Sequence, residues 1–202
     1  NPLDEVIEPR ATQEEMTNFI ETELTESLKG LPTRTTQFGR FDKGLAYTIL
    51  MKYYMHEKNW AKAEECGREL LKAEYGYGLM DRYADIFTLE NEGNKEIIFA
   101  CTEERGTNLQ LWHDHALPGN YPTKNASIQK WDGYKVPWPF YRTFEEGDDR
   151  LSVLVGEYVG TDGVLFNEES DIAKHGNLYS GAVPVKYGED PESTGDGSQI
   201  AL

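Results

Sequence analysis

The sequence predicts a mainly α-helical protein, built on a helical hairpin of the tetratricopeptide type within an α/α superhelix. Between residues 39 and 76, apolar side chains recur with helical period in two successive segments. From residue 102 to about residue 180 the helical period is absent, and glycine, proline and aromatic residues predominate. We therefore expect a helical part over residues 1–101 and a loop-rich, ligand-facing part with a few short strands over residues 102–202.

The first predicted helix begins at a capping box. Thr12 is followed three residues later by Glu15, so each side chain can accept a hydrogen bond from the other residue's backbone. Apolar residues then recur with helical period as far as Leu28. Gly30 and Pro32 should end this helix, because glycine favours the C-terminal cap and proline cannot continue a helix.

The next two predicted helices form the hairpin. Over residues 44–56, three of the four rows of side chains spaced by four residues are apolar or aromatic, which predicts a helix buried on several sides. Asn59 is a favourable N-cap for the second helix. In that helix we expect Trp60 in the core of the hairpin, and Ala63 and Gly67 where the two helices approach closely.

Shorter elements are expected after the hairpin. Residues 81–89 have the pattern of a short helix or turn, and residues 96–101 read as a short buried strand. Residues 188–199 are acidic and rich in turn-forming residues, which is typical of a surface loop or a linker.

The composition excludes several classes of partner. The 202 residues include 20 Lys and Arg against 36 Asp and Glu, which gives a formal net charge of -16. Nucleic-acid binding needs a basic surface, and an anionic membrane surface repels a chain of this charge. No apolar run reaches the roughly 18 residues of a transmembrane helix. Aromatic residues make up 12% of the chain, more than the hairpin uses, which favours a surface that stacks on a ligand.

The sequence also resembles a known family, the SusD/RagB proteins. These are cell-surface nutrient-binding lipoproteins that act beside TonB-dependent outer-membrane transporters in Bacteroidetes. The similar stretches occur in the expected order, and they are residues 10–15 (RATQEE), 39–46 (GRFDKGLA), 59–63 (NWAKA), 83–87 (YADIF), 96–99 (EIIF), 131–134 (WDGY), 144–150 (FEEGDDR) and 185–187 (VKY).

This resemblance implies a function in nutrient uptake. A protein of this family binds an oligosaccharide, or a peptide in RagB-type members, and delivers it to a TonB-dependent SusC-like transporter at the outer face of the outer membrane. Its members are usually more than twice as long and carry a signal peptide and a lipid anchor. We therefore expect residues 1–202 to be a single fragment of a larger SusD-like domain, attached to the membrane only through an anchor outside this chain.

The aromatic loop region supplies the chemistry that glycan binding needs. Aromatic faces stack on the C–H faces of sugars, and planar polar side chains hold hydroxyl groups in a concave site. For Trp131 and Tyr134, packing beneath the loops is the favoured alternative, and for Trp112 binding and packing are balanced. The candidate ligand-binding residues are Trp112, Trp138, Tyr121, Trp131, Tyr134, Asn108, Asn120 and Arg142.

Neither a metal nor a catalytic site is expected. His113 and His115 have the spacing of one face of a strand, but no third zinc ligand is identifiable. The carboxylates of residues 145–149 lie on one short loop, whereas a glycosidase places two of them about 5 to 10 Å apart across a cleft. We expect instead that Asp148 or Asp149 caps a turn and pairs with Arg150.

Two cysteines, Cys66 and Cys101, have no metal-binding spacing. A disulfide between them is possible, but two buried free thiols are the favoured interpretation. We therefore expect no cofactor and no enzymatic activity. The principal alternative to glycan binding is a protein–protein interaction scaffold of the same uptake complex.

Overall fold

Two compact units divide the chain, Asn1–Tyr77 and Gly78–Leu202. The structure is a computed structural model, and it describes residues 9–103, 111–174 and 176–192. Helices outnumber strands, and the strands are short, as expected for a mainly α-helical chain. No helix among the described residues is long and apolar enough to cross a membrane.

The described part of the first unit contains three α-helices, and all three begin at side-chain caps. In the capping box, the Thr12 hydroxyl accepts a hydrogen bond from the backbone N–H of Glu15 at 3.2 Å, and α1 ends at Gly30, as predicted. Asp42 caps the second helix by accepting a hydrogen bond from Leu45 N at 3.0 Å, and Asn59 caps the third. The three helices are α1 (Gln13–Gly30), α2 (Lys43–His56) and α3 (Trp60–Leu70).

Helices α2 and α3 pack against each other as a hairpin. Its core is formed by Leu50 and Tyr54 of α2 with Ala63 and Cys66 of α3. Gly67 also lies at the close approach, because a Cβ at this position would stand 3.4 Å from the sulfur of Met51. The small residues of α3 therefore lie between the helices, as predicted.

The predicted burial of Trp60 is wrong. This side chain is 63% exposed. It is the first residue of α3, and the apolar side chains Met55 and Leu71 are exposed as well. The amphipathic pattern identified the apolar side of the helix, but no described residue covers that side at Trp60.

In the second unit, the predicted strand over residues 96–101 is absent. These residues form turns and irregular backbone. Asn94 holds this segment by donating a hydrogen bond to Ile86 O and accepting one from Glu96 N, both at 2.9 Å. The helix or turn predicted over residues 81–89 is confirmed as two 3-10 helices, Tyr83–Phe87 and Leu89–Asn91.

The aromatic region of the second unit contains short strands in two sheets. Strand β5 (Gly181–Pro184) lies centrally and pairs antiparallel with β1 (Val136–Pro137) and β2 (Leu154–Val155). Strands β3 (Glu157–Val159) and β4 (Leu165–Asn167) form an antiparallel pair. The short helices are α4 (Trp112–Ala116), α5 (Trp138–Tyr141) and α6 (Glu168–Lys174), together with a 3-10 helix, Asp149–Val153.

A hydrophobic core joins these short elements. It collects residues from α4, α5 and strands β3 and β5, and therefore gives the loop-rich region a packed interior. Its buried members are Ala116, Leu117, Ile128, Trp138, Tyr158, Leu178, Ala182 and Val183.

The cysteine prediction is partly correct. Cys66 and Cys101 are both free thiols, and Cys66 is buried. Cys101 is exposed, so the predicted burial of this thiol is wrong. It lies in the irregular segment that takes the place of the predicted buried strand.

Candidate functional site

Helix α4 and the loop that follows residue 128 are held side by side by backbone hydrogen bonds. The amide of Trp131 donates to Asp114 O at 2.7 Å, and the amide of Tyr134 donates to His115 O at 2.8 Å. The fully buried Asp114 side chain accepts a further hydrogen bond from Gln129 N at 2.9 Å. These contacts bring residues of the loop next to residues of the helix that lie 15 or more positions away in sequence.

Three rings form an aromatic platform at this junction, and we define it as His115, Trp131 and Tyr134. The Tyr134 ring stacks on the imidazole of His115, with centroids 5.1 Å apart and planes inclined by 24°. The Trp131 ring meets the same imidazole edge-on at 4.7 Å. Trp131 is 50% exposed and Tyr134 is 45% exposed. Their exposure contradicts the interpretation that they pack beneath the loops.

The turn between the two exposed rings has an unusual backbone. Asp132 has a φ of 55°, in the left-handed region that few side chains adopt. A Cβ on the next residue, Gly133, would stand 3.1 Å from the carbonyl oxygen of His115, so a glycine suits this close approach. The turn therefore allows Trp131 and Tyr134 to contact the same imidazole.

The structure contradicts the predicted ligand contact of Trp138. Its side chain is only 6% exposed, and its indole N–H donates a hydrogen bond to Leu178 O at 2.8 Å. The Tyr141 ring lies edge-on to it at 5.4 Å. Trp138 is therefore a core residue whose faces are covered by protein.

Trp112 is half-buried and lies behind the platform. Its indole N–H donates to Pro184 O at 3.0 Å. Its ring lies 5.4 Å from the Tyr134 ring and 5.5 Å from the Tyr187 ring. Trp112 therefore supports the exposed Tyr134 from within the fold.

The predicted polar contacts are engaged within the protein. Asn120 Oδ1 accepts hydrogen bonds from Tyr158 at 2.9 Å and from Asn177 at 2.8 Å. Arg142 forms an ion pair with Glu168. Both side chains thus serve interactions inside the second unit, and the candidate Asn108 lies outside the described residues.

The two histidines of α4 face different neighbours. His113 is buried, and its Nε2 lies 2.8 Å from Tyr187 O, whereas His115 contacts the platform rings. The segment is a helix, so the expectation that both imidazoles lie on one face of a strand is wrong. Among the residues that the structure covers, no group of three His, Cys, Asp or Glu side chains could hold a metal ion.

The acidic loop near residue 148 is structural, as predicted. Asp148 caps the 3-10 helix that follows it and accepts hydrogen bonds from the Arg150 guanidinium at 2.9 and 2.5 Å. These hydrogen bonds lower the pKa of the Asp148 carboxyl. A glycosidase acid requires the opposite shift, so this carboxylate is unsuited to that role.

Helix α4 also contributes His113 to a small polar pocket. Its volume is about 220 Å³, and we define the polar pocket by the side chains that line it: His113, Tyr121, Lys124, Tyr187 and Glu189, with Leu117 and Val185. Tyr121, a predicted binding residue, is half-buried here and packs 5.0 Å from the Tyr158 ring. The other polar members were missed because they come from separate segments and form no sequence motif.

Comparison with known proteins indicates what this fold is. No family model and no curated protein matches the sequence. Among solved structures, a SusD-like protein from Bacteroides fragilis is 23% identical, with a TM-score of 0.57 over 74% of this chain and 30% of that chain. Surface glycan-binding protein A from Bacteroides thetaiotaomicron, in complex with laminarihexaose, is 17% identical, with a TM-score of 0.67 over 94% of this chain and 45% of that chain.

A laminarin-binding SusD-like protein is 20% identical, with a TM-score of 0.61 over 95% of this chain and 42% of that chain. The chain thus spans between 30% and 45% of the length of these three structures. At identities this low the comparisons establish the fold. This chain therefore has the fold of the SusD-like proteins, which is the fold that the resemblance in its sequence implied.

Proposed function

We propose that this chain is part of a non-catalytic, cell-surface glycan-binding protein, and that an oligosaccharide contacts the aromatic platform. Two proteins of the same fold support the glycan ligand: one is described as laminarin-binding, and the other was solved with laminarihexaose. The proposal extends to the delivery of the oligosaccharide to a TonB-dependent SusC-like transporter. It also places the protein at the outer face of the outer membrane, held by a lipid anchor outside this chain.

The aromatic platform is the observation that carries the proposal. Trp131 and Tyr134 are both about half exposed, and each of the two rings contacts the imidazole of His115. Sugar rings have apolar C–H faces that pack on aromatic side chains. Exposed aromatic residues held by a well-packed core are suited to such stacking.

The charge of the chain favours a neutral glycan. With a formal net charge of -16, the protein repels polyanionic ligands at long range. One protein of this fold was solved in complex with laminarihexaose, so this oligosaccharide is a suitable first probe.

Isothermal titration of the full chain with laminarihexaose and other neutral oligosaccharides tests this proposal. Replacing Trp131 with alanine should weaken binding about twofold to tenfold, the range expected for loss of one aromatic contact. Trp60→Ala is the matched control, because Trp60 is also an exposed indole and lies in the other unit. Flat titrations with every glycan, or equal binding by Trp131→Ala and the wild type, would refute the proposal. Titration with a peptide panel identifies a RagB-type ligand instead.

The second candidate function is a protein–protein interaction scaffold. An apolar groove of about 690 Å³ lies along α2 and α3, lined by Met51, Met55, Trp60, Leu70 and Leu71. This hypothesis predicts that Trp60→Ala weakens co-purification with the transporter and that Trp131→Ala leaves it unchanged. The glycan-binding hypothesis predicts instead that Trp131→Ala weakens sugar binding and that Trp60→Ala leaves it unchanged.

A further inference from the structure

The polar pocket is lined by His113, which has a buried acceptor that no described residue satisfies. His113 is 2% exposed, and its Nε2 lies 2.8 Å from Tyr187 O. Because a carbonyl oxygen only accepts, Nε2 carries the hydrogen and donates it. Burial lowers the pKa of His113, so the imidazole is neutral near pH 7 and Nδ1 is a bare acceptor. Nδ1 has no hydrogen-bond partner among the described residues.

Such an acceptor is an unusual feature of a folded protein. Nearly all buried polar atoms are paired, because an unpaired buried acceptor destabilises the folded state. His113 lines a pocket of about 220 Å³, so a ligand there that carries a hydrogen-bond donor lies beside the imidazole. A hydroxyl group is a donor of this kind.

The other polar groups of the pocket provide both donors and acceptors. Glu189 Oε2 accepts hydrogen bonds from the backbone amides of Lys124 at 2.7 Å and Asn125 at 3.2 Å, which orients the carboxylate. The Lys124 ammonium group has no acceptor among the residues that the structure covers. Burial raises the pKa of both Tyr121 and Tyr187, so their hydroxyl groups remain neutral donors.

The charges of the pocket select a neutral ligand. Lys124 and Glu189 carry opposite charges, so their sum favours neither an anion nor a cation. A compact ligand with several hydroxyl groups uses both donors and acceptors, and its apolar face packs on a tyrosine ring. The volume is smaller than that of a pocket for a drug-sized molecule, and it suits one ring rather than several.

Trp112 connects the pocket to the aromatic platform. Its ring lies 5.5 Å from Tyr187, which lines the pocket, and 5.4 Å from Tyr134, which belongs to the platform. His113 and His115, on the same short helix, contribute to the pocket and to the platform respectively. Trp112 therefore contacts one ring of each surface.

We propose that the polar pocket is a subsite for one neutral hexose ring of the oligosaccharide whose neighbouring rings lie on the platform. This proposal rests on the proposed glycan-binding function. In the bound state, a sugar hydroxyl donates to His113 Nδ1, and the Lys124 ammonium donates to a second hydroxyl oxygen. The subsite thereby adds polar specificity to the stacking that the platform provides.

Titration of the full chain with laminarihexaose tests the subsite. Lys124→Met and Tyr187→Phe each remove one polar group and preserve most of the apolar volume, so each should weaken binding about twofold to tenfold. Lys52→Met is the matched control for the lysine, because Lys52 is an exposed residue of α2 in the other unit. This control should bind as the wild type does.

A direct readout is the nitrogen NMR spectrum of the histidine side chains. The resonance of His113 Nδ1, assigned by its loss in His113→Gln, should shift on addition of laminarihexaose as this nitrogen accepts a hydrogen bond. An unchanged resonance and wild-type affinity of both pocket variants would overturn the subsite. If Trp131→Ala still weakens binding in that case, the proposed function stands without the subsite. If the wild type binds no glycan, the function fails and the subsite fails with it.

Discussion

Replacing Trp138 with phenylalanine separates a core role from a ligand-binding role. Trp138 packs in the core of the second unit, and its indole N–H donates a hydrogen bond to the carbonyl oxygen of the fully buried Leu178. Phenylalanine retains an aromatic ring but lacks this donor and is smaller. The substitution therefore removes a hydrogen bond and leaves a small cavity at the same place.

The expected loss of stability follows from these two effects. An unsatisfied buried carbonyl costs about 1–3 kcal/mol. The lost side-chain volume of about 40 Å³ costs about 1 kcal/mol more, at about 24 cal/mol per Å³ of cavity. We therefore expect Trp138→Phe to lower the free energy of unfolding by about 2–4 kcal/mol.

Urea unfolding of the full chain, followed by far-ultraviolet circular dichroism, measures this change. The same substitution at the exposed Trp131 is the control, and it should change the free energy of unfolding by less than about 0.5 kcal/mol. If Trp138→Phe and Trp131→Phe change the free energy of unfolding equally, and the slope of this free energy against urea concentration is unchanged, the placement of Trp138 in the core is refuted. Folded Trp138→Phe should also bind glycan as tightly as the wild type.

Three further predictions concern the packing of the described residues. Gly181→Ala should abolish folding of the second unit, because its Cβ would overlap the carbonyl oxygen of Val136 in β1. Gly119→Ala is the control and should purify normally, because a Cβ there meets open space. Equal yields of the two variants would contradict this prediction. Cys101 is exposed and should react rapidly with a thiol reagent. Cys66 should react only after unfolding, because it is buried and burial raises the pKa of its thiol. Equal reaction rates of the two cysteines in the folded protein would contradict this prediction. Burial raises the pKa of Tyr158 to about 12, so its contribution to stability is complete below about pH 10 and is lost as pH rises towards 12. The pH dependence of urea unfolding measures this loss, and Tyr158→Phe should lack it.

Local sequence signals predicted the helices of the first unit well. The capping box at Thr12, the cap at Asn59, the end of α1 at Gly30, and the small residues Ala63 and Gly67 depend on neighbours only a few residues away or on one adjacent helix. Such interactions repeat from protein to protein, so a pattern in the sequence identifies them. The wrong prediction that Trp60 is buried has a different origin. The helical period shows which side of a helix is apolar, but it does not show whether another element covers that side.

The strand expected over residues 96–101 shows the corresponding limit for sheets. A run of apolar residues makes a strand only where a partner strand offers hydrogen bonds, and Asn94 holds this segment in turns instead. The strands that do form are two to four residues long, which is too short for an alternating pattern to identify.

The sequence by itself determined the helical hairpin, the surplus of aromatic residues and the resemblance to SusD-like proteins, because each depends on residue type and local order. Only the tertiary structure decided which rings are exposed: it buries Trp138 against Leu178 and brings Trp131 and Tyr134 onto His115. The physical reason is that exposure depends on contacts between distant segments. For Trp131 and Tyr134 those contacts are backbone hydrogen bonds from the loop to α4, and hydrogen bonds between backbone groups leave no pattern in the amino-acid sequence.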